Sequence, residues 1–172
     1  FFIIYLLPFI VNYIIRLFIY VRKFMEKLNN LLNTLTQPFT NIITIVVQFC
    51  LGISFFLHGY GKIPMSEGFI GFLASKGVPF ANISAYVVAW GEILAGIGII
   101  LGGLLIKIYP IVANVITKLS GLTIVIIMIN ALVIAHSHWS IFIGERGAVL
   151  FASEQLFLLV LGLFFLVKGN NQ

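Results

Sequence analysis

The chain has 172 residues, 61% of them hydrophobic and 9% charged, with a mean hydropathy of +1.15. Soluble domains carry roughly 25% charged residues, so this chain cannot cover a water-facing surface, and a soluble globular enzyme is excluded; disorder, which needs a polar and charged chain, is excluded by the same numbers. The net charge is +5. Its basic residues fall between apolar runs, so the expected partner is an anionic bilayer leaflet rather than nucleic acid.

A transmembrane helix takes about 20 apolar residues, so the length holds four or five such helices. With Cys50 alone, an internal disulfide, a CxxC redox pair and a cysteine-built metal cage are excluded. The chain opens at Phe1, as expected of a processed protein or of a sequence that begins late.

The first apolar segment runs over residues 1–21 and is followed by Arg22, Lys23 and Lys27. It is read as a spanning helix, with an interfacial helix as the alternative; Asn12 and Arg16 share one face, and Arg16 can snorkel toward the basic end. Residues 28–38 read as a polar connector or a short amphipathic helix. These 38 residues form a first region, and residues 39–172 a second.

Four further apolar segments follow, at about 39–57, 83–106, 119–138 and 148–167. All are read as helices, because open strands cannot satisfy their backbone in lipid. Between the first two of these four, Phe69, Phe72, Leu73 and Lys76 recur at i, i+3, i+4, i+7. Ser66 is placed to cap that short interfacial helix, and Gly77 with Pro79 to end it.

Alternating the spans puts Arg22, Lys23, Lys27, Lys107, Lys118 and Lys168 on one side, and Lys62, Lys76 and Arg146 on the other with Glu67 and Glu145. The positive-inside rule then places residue 172 on the cytoplasmic or matrix side. A bacterial or mitochondrial inner membrane is the expected location.

Ionisable residues inside membrane helices cost roughly 2.5–3.5 kcal/mol on insertion scales, so each needs a reason. Glu92 lies ten residues into its helix, about 15 Å deep at ~1.5 Å per residue, with Ala95, Gly96 and Gly103 on its face. Small residues admit a neighbouring helix, so Glu92 points into a bundle, there uncharged unless Lys62 or a histidine reaches it. Glu154 is expected six residues into the last helix. His58 and Lys62 close the second segment; His136 and His138 close the fourth.

Together His58, Lys62, Glu92, His136 and Glu154 form a candidate ligand-binding or proton-relay cluster in the outer half of the bundle. A quinone headgroup, accepting from His and exchanging protons with Glu, suits these groups. A metal site does not: residues 136 and 138 do not share a helix face. The competing reading is a purely structural network locking the helices. Asn130 is expected to bond a neighbouring helix, and Cys50 to be inert packing.

These same residues resemble the DoxX family of small membrane proteins. Phe55 through Lys62 fits its F-x-x-H-G-x-x-K helix end, Gly77-Val78-Pro79 its turn, and Glu92 through Gly96 with Gly102-Gly103 its glutamate and glycine-rich helix. Ala131 through His136 fits A-x-x-x-H with one residue more, and Glu154 its late glutamate. The resemblance covers about residues 42–169. Where the family often carries an arginine four residues before a glycine, Gln48 stands before Gly52.

The resemblance implies an all-α, DoxX-like four-helix membrane bundle, here with one additional N-terminal transmembrane or interfacial helix. It also implies a subunit of a membrane redox complex, since family members occur in thiosulfate:quinone oxidoreductase and other redox assemblies. With no cofactor motif of its own, the chain would work beside partner subunits that carry electrons. The alternative is a non-catalytic accessory or assembly subunit that docks through the N-terminal helix. A transporter is the least supported class, since no inverted repeat is visible.

Overall fold

The computed structural model describes residues 2–145 and 148–170, without the side chains of residues 2–10 and 41. Arg146, one of the charges used for orientation, lies outside the described residues, as do many of the side chains on which the spanning reading of residues 1–21 rests.

Six α-helices account for most of the described residues: α1 (Phe2–Thr36), α2 (Thr40–Tyr60), α3 (Glu67–Ser75), α4 (Ala81–Leu105), α5 (Pro110–Ala135) and α6 (Glu154–Lys168). Two compact units result, Phe1–Ile43 and Thr44–Gln172.

The first unit is dominated by α1. Residues 28–36 continue this helix instead of breaking it, and a short 3-10 turn, Gln37–Phe39, follows with Pro38 at its start. From Val11 to Leu35 its large apolar side chains are exposed, and Arg22 pairs with Glu26 one turn on at 2.8 Å.

In the second unit α2, α4, α5 and α6 share one core. Leu51 and Phe55 of α2, Ala95 and Ile99 of α4, Ile124 and Met128 of α5, and Leu158 and Phe165 of α6 are buried against one another. Glycine makes the close helix approaches possible. A Cβ at Gly96 would lie 2.5 Å from Phe56 N and 2.6 Å from Gly52 O, so α4 and α2 meet backbone to backbone. Gly121 does the same for α5 and α6, where a Cβ would lie 2.7 Å from Leu166 N. In lipid, where apolar burial drives little association, such close packing is what holds helices together.

Among the described residues, three helices are long and apolar enough to cross a bilayer: Ile42–Tyr60, Ala81–Leu105 and Pro110–Ala135. Two expected boundaries shift. The helix expected over 119–138 starts at Pro110, whose missing N–H suits the first turn, and ends at Ala135. The last helix begins at Glu154 rather than near residue 148. Ser153 caps it by accepting from Leu156 N, while residues 148–150 pair with Ser140 through Ser140 N to Ala148 O and Leu150 N to Ser140 O. The Ala148 carbonyl is thus taken by Ser140, and Ala152 N and Ser153 N close a 3-10 turn onto Val149 O and Leu150 O, so the α-helix does not extend backward. Its 15 residues reach about 22 Å at ~1.5 Å per residue.

The short helix α3 forms as its spacing predicts. Ser66 accepts from Phe69 N at 3.2 Å, and Gly77 turns the chain out with φ +74°, a left-handed value that favours glycine.

Candidate functional site

Glu92 is 3% exposed and sits on the α4 face that meets α2. Neighbours on that face explain the position: Gly96 admits the α2 backbone, and Gly59 on α2 admits Ala89, since a Cβ there would lie 2.5 Å from Ala89 O. The chain leaving α2 is thereby pressed against α4 and delivers Lys62 to Glu92. Lys62 Nζ donates to Glu92 Oε2 at 2.5 Å and to the His58 carbonyl at 3.0 Å. A cation from outside the helix therefore answers the carboxyl that sequence placed among small residues.

A second pair lies beside the first. His58 Nε2 is 3.1 Å from Glu154 Oε1, and Ser54 Oγ donates to the same oxygen at 3.2 Å. As the first residue of α6, Glu154 also complements the helix N-terminus. Its side chain is 58% exposed, so it is a rim group rather than one set six residues deep. Among the described residues, the hydrogen-bond link between the two pairs runs through the His58 carbonyl, which carries no proton.

His136 caps the end of α5 and its ring stacks on Trp139 with centroids 3.8 Å apart. Burial holds its imidazole below the usual value, and neighbouring His138 pushes the same way. His138 itself is exposed in the turn beyond.

These groups converge on a cleft of about 630 Å³. His58, Lys62 and Glu92 supply its polar end, and His136 lines it nine residues beyond Ile127, the residue that faces Gly91, so about 13 Å further along α5 at ~1.5 Å per residue; Gln155, Ser84 and Thr123 add polar groups, and apolar residues of α3, α4 and α5 line the rest. Of the five residues singled out from sequence, four line this cleft; Glu154 reaches it only through His58. Asn130 lines it too, but donates to Ile126 O of its own helix at 2.8 Å instead of to a neighbouring helix. Cys50 is exposed on the outside of the bundle instead of packed within it.

Sequence reading missed a second polar centre, toward the other end of the bundle. Gln48, 2% exposed, donates to Ile99 O at 2.9 Å and to Thr117 Oγ1 at 3.3 Å. Asn170 donates to that same hydroxyl and to Gly102 O, each at 2.8 Å. In the sequence Gln48 stands out only as a departure from a family arginine. The usable signal was a glutamine eight residues into an apolar helix, opposite the Gly102-Gly103 pair that leaves room for it.

Long apolar helices sharing one core around buried polar groups define an all-helical integral membrane protein. Residues 43–108 match the family model for DoxX, which makes the chain consistent with a DoxX family membrane protein. The match spans α2 through α4, and so includes His58, Lys62 and Glu92. No curated protein and no solved structure matches the chain significantly.

Proposed function

We propose that the chain is a subunit of a membrane redox complex whose cleft receives a quinone-like headgroup. One observation carries this reading: an ammonium, a carboxyl and an imidazole, from Lys62, Glu92 and His58, come together on the wall of a largely apolar cleft that His136 also lines. Binding sites of this kind pair apolar walls with a few convergent polar groups. Lys62 Nζ and the ring N–H groups donate to ligand carbonyl oxygens; Glu92 and Glu154 take up or release protons. Since the His58 carbonyl interrupts the link between the two pairs, a ligand oxygen lying between Lys62 and the His58 ring would complete it. Electrons come from a partner subunit. The excess of basic residues places the Lys107 and Lys168 ends of the helices on the cytoplasmic or matrix side of an inner membrane.

The test is turnover of the reconstituted complex with a quinone acceptor. Lys62→Met and His58→Gln lower its quinone-dependent rate if the cluster serves the ligand; full turnover in both variants refutes the reading.

A second reading is favoured by the exposed apolar side chains of α1: an accessory subunit that docks through this helix, its buried pair serving only to lock the bundle. Mild-detergent purification decides it. Loss of the partner complex on deleting residues 1–36, with turnover indifferent to Lys62→Met, supports this alternative.

A further inference from the structure

The cleft has a shape that the polar end alone does not explain. Toward the Gln48 end α4 and α5 are locked together: Gly98 faces Ser120, and Gly102 faces Thr117, each so closely that a Cβ would collide with the hydroxyl. Toward the other end the cleft lies between them, lined by Ile83, Val87 and Gly91 of α4 and by Thr123, Ile126 and Ile127 of α5. Its outer rim is open and apolar: Ile83 and Val87 are each 65% exposed and Ile126 53%. In a bilayer that rim faces acyl chains. Hydroxyl donors along the walls already have partners, Ser84 on Pro79 O and Thr123 on Leu119 O.

At Gly91, the residue before Glu92, α4 passes close to α5. A Cβ there would lie 3.0 Å from Ile127 Cδ1 and 3.9 Å from Thr123 Cγ2. A side chain at 91 would enter the cleft between Glu92 and the Ile126–Ile127 wall.

We infer that the slot between α4 and α5 is a lateral portal from the lipid phase, that Gly91 sets its width, and that the ligand is a flat, uncharged carbonyl-bearing ring on a single hydrocarbon chain. The inference rests on the headgroup reading above and deepens it. Charge supports the ring: Lys62 and Glu92 satisfy each other, so the polar end is close to neutral and offers no surplus cation to a phosphate. Size supports a single tail: about 630 Å³ lies within the roughly 300–1,000 Å³ of small-molecule sites, enough for a ring and the first part of one chain.

The full chain in phosphatidylcholine nanodiscs provides the test, read by quenching of Trp90, adjacent to Gly91, and of Trp139. The probes are a decyl-tailed benzoquinone and the same ring without a tail. Gly91→Leu and, from the opposite wall, Thr123→Leu should each weaken the tailed probe by about tenfold, the loss expected when a few buried methylenes are excluded, and shift the tail-free ring far less. Size-exclusion chromatography confirms that each variant is folded. Tailed binding unchanged in both variants overturns the portal, and displacement of the probe by added phosphatidylglycerol overturns the single-chain class. If Lys62→Met still weakens both probes in either case, the headgroup reading survives. Failure of the wild-type protein to bind either probe removes both.

Discussion

Lys62 and Glu92 meet at 2.5 Å although 30 residues separate them, and Glu92 is almost wholly buried while Lys62 remains partly open to the cleft. This contact joins the segment that leaves α2 to the middle of α4, and gives the deepest carboxyl of the bundle its cation.

Removing one member of that pair should be felt. Glu92→Gln leaves Lys62 facing an amide and should destabilise the bundle by about 1–3 kcal/mol; Glu92→Leu should cost more, because Lys62 then has no acceptor on α4. Adding Lys62→Met to Glu92→Gln should recover part of the loss, since removing the second partner removes the orphaned charge. Thermal unfolding in detergent measures all three, and a Glu92→Gln protein as stable as wild type would show that the pair contributes nothing.

The rim pair is a different case. His58 and Glu154 are 32% and 58% exposed, and such pairs contribute about 0–1 kcal/mol. Glu154→Ala should leave the melting temperature nearly unchanged. A drop as large as that of Glu92→Gln would mean that Glu154 is far better shielded than its exposure indicates.

His136 makes a pH prediction with a definite sign. Its folded-state value is lowered, so the folded protein binds its proton less readily than the unfolded chain. Stability contributed by the neutral ring is fully present above the unfolded value, about 6.5, starts to fall as pH drops below it, and is lost as pH falls through the lower folded-state value. Melting curves at pH 7.5 and 5.5 should therefore show a larger acid loss in wild type than in His136→Asn. Equal losses in the two would exclude His136 as the source.

Two further substitutions test the packing. Gly96→Ala forces a methyl against the backbone of Phe56 and Gly52 and should cost about 1–3 kcal/mol. Gln48→Leu strands Thr117 and the Ile99 carbonyl of one of their donors and should cost about 1–3 kcal/mol. Cys50→Ser, on the exposed outside of α2, is the control expected to behave as wild type.

Sequence alone determined the all-helical membrane class, the positions of α2 and α4 to within a few residues, the cap of α3 at Ser66, and the small-residue face that buries Glu92. These follow from hydropathy, helical period and local capping, which act over a turn or two of chain. Only the tertiary structure decided that Lys62 reaches Glu92, that His58 turns to Glu154, and that Gln48 joins Thr117 and Asn170. Each joins residues 30 to 96 positions apart or more than one helix, and is set by where glycines let backbones approach. The start of α6 was likewise beyond local reading. Residues 148–152 are apolar enough for helix, but their backbone donors and carbonyls are taken up by Ser140 and a 3-10 turn, so Glu154 stands at the helix start and the rim instead of inside the bundle.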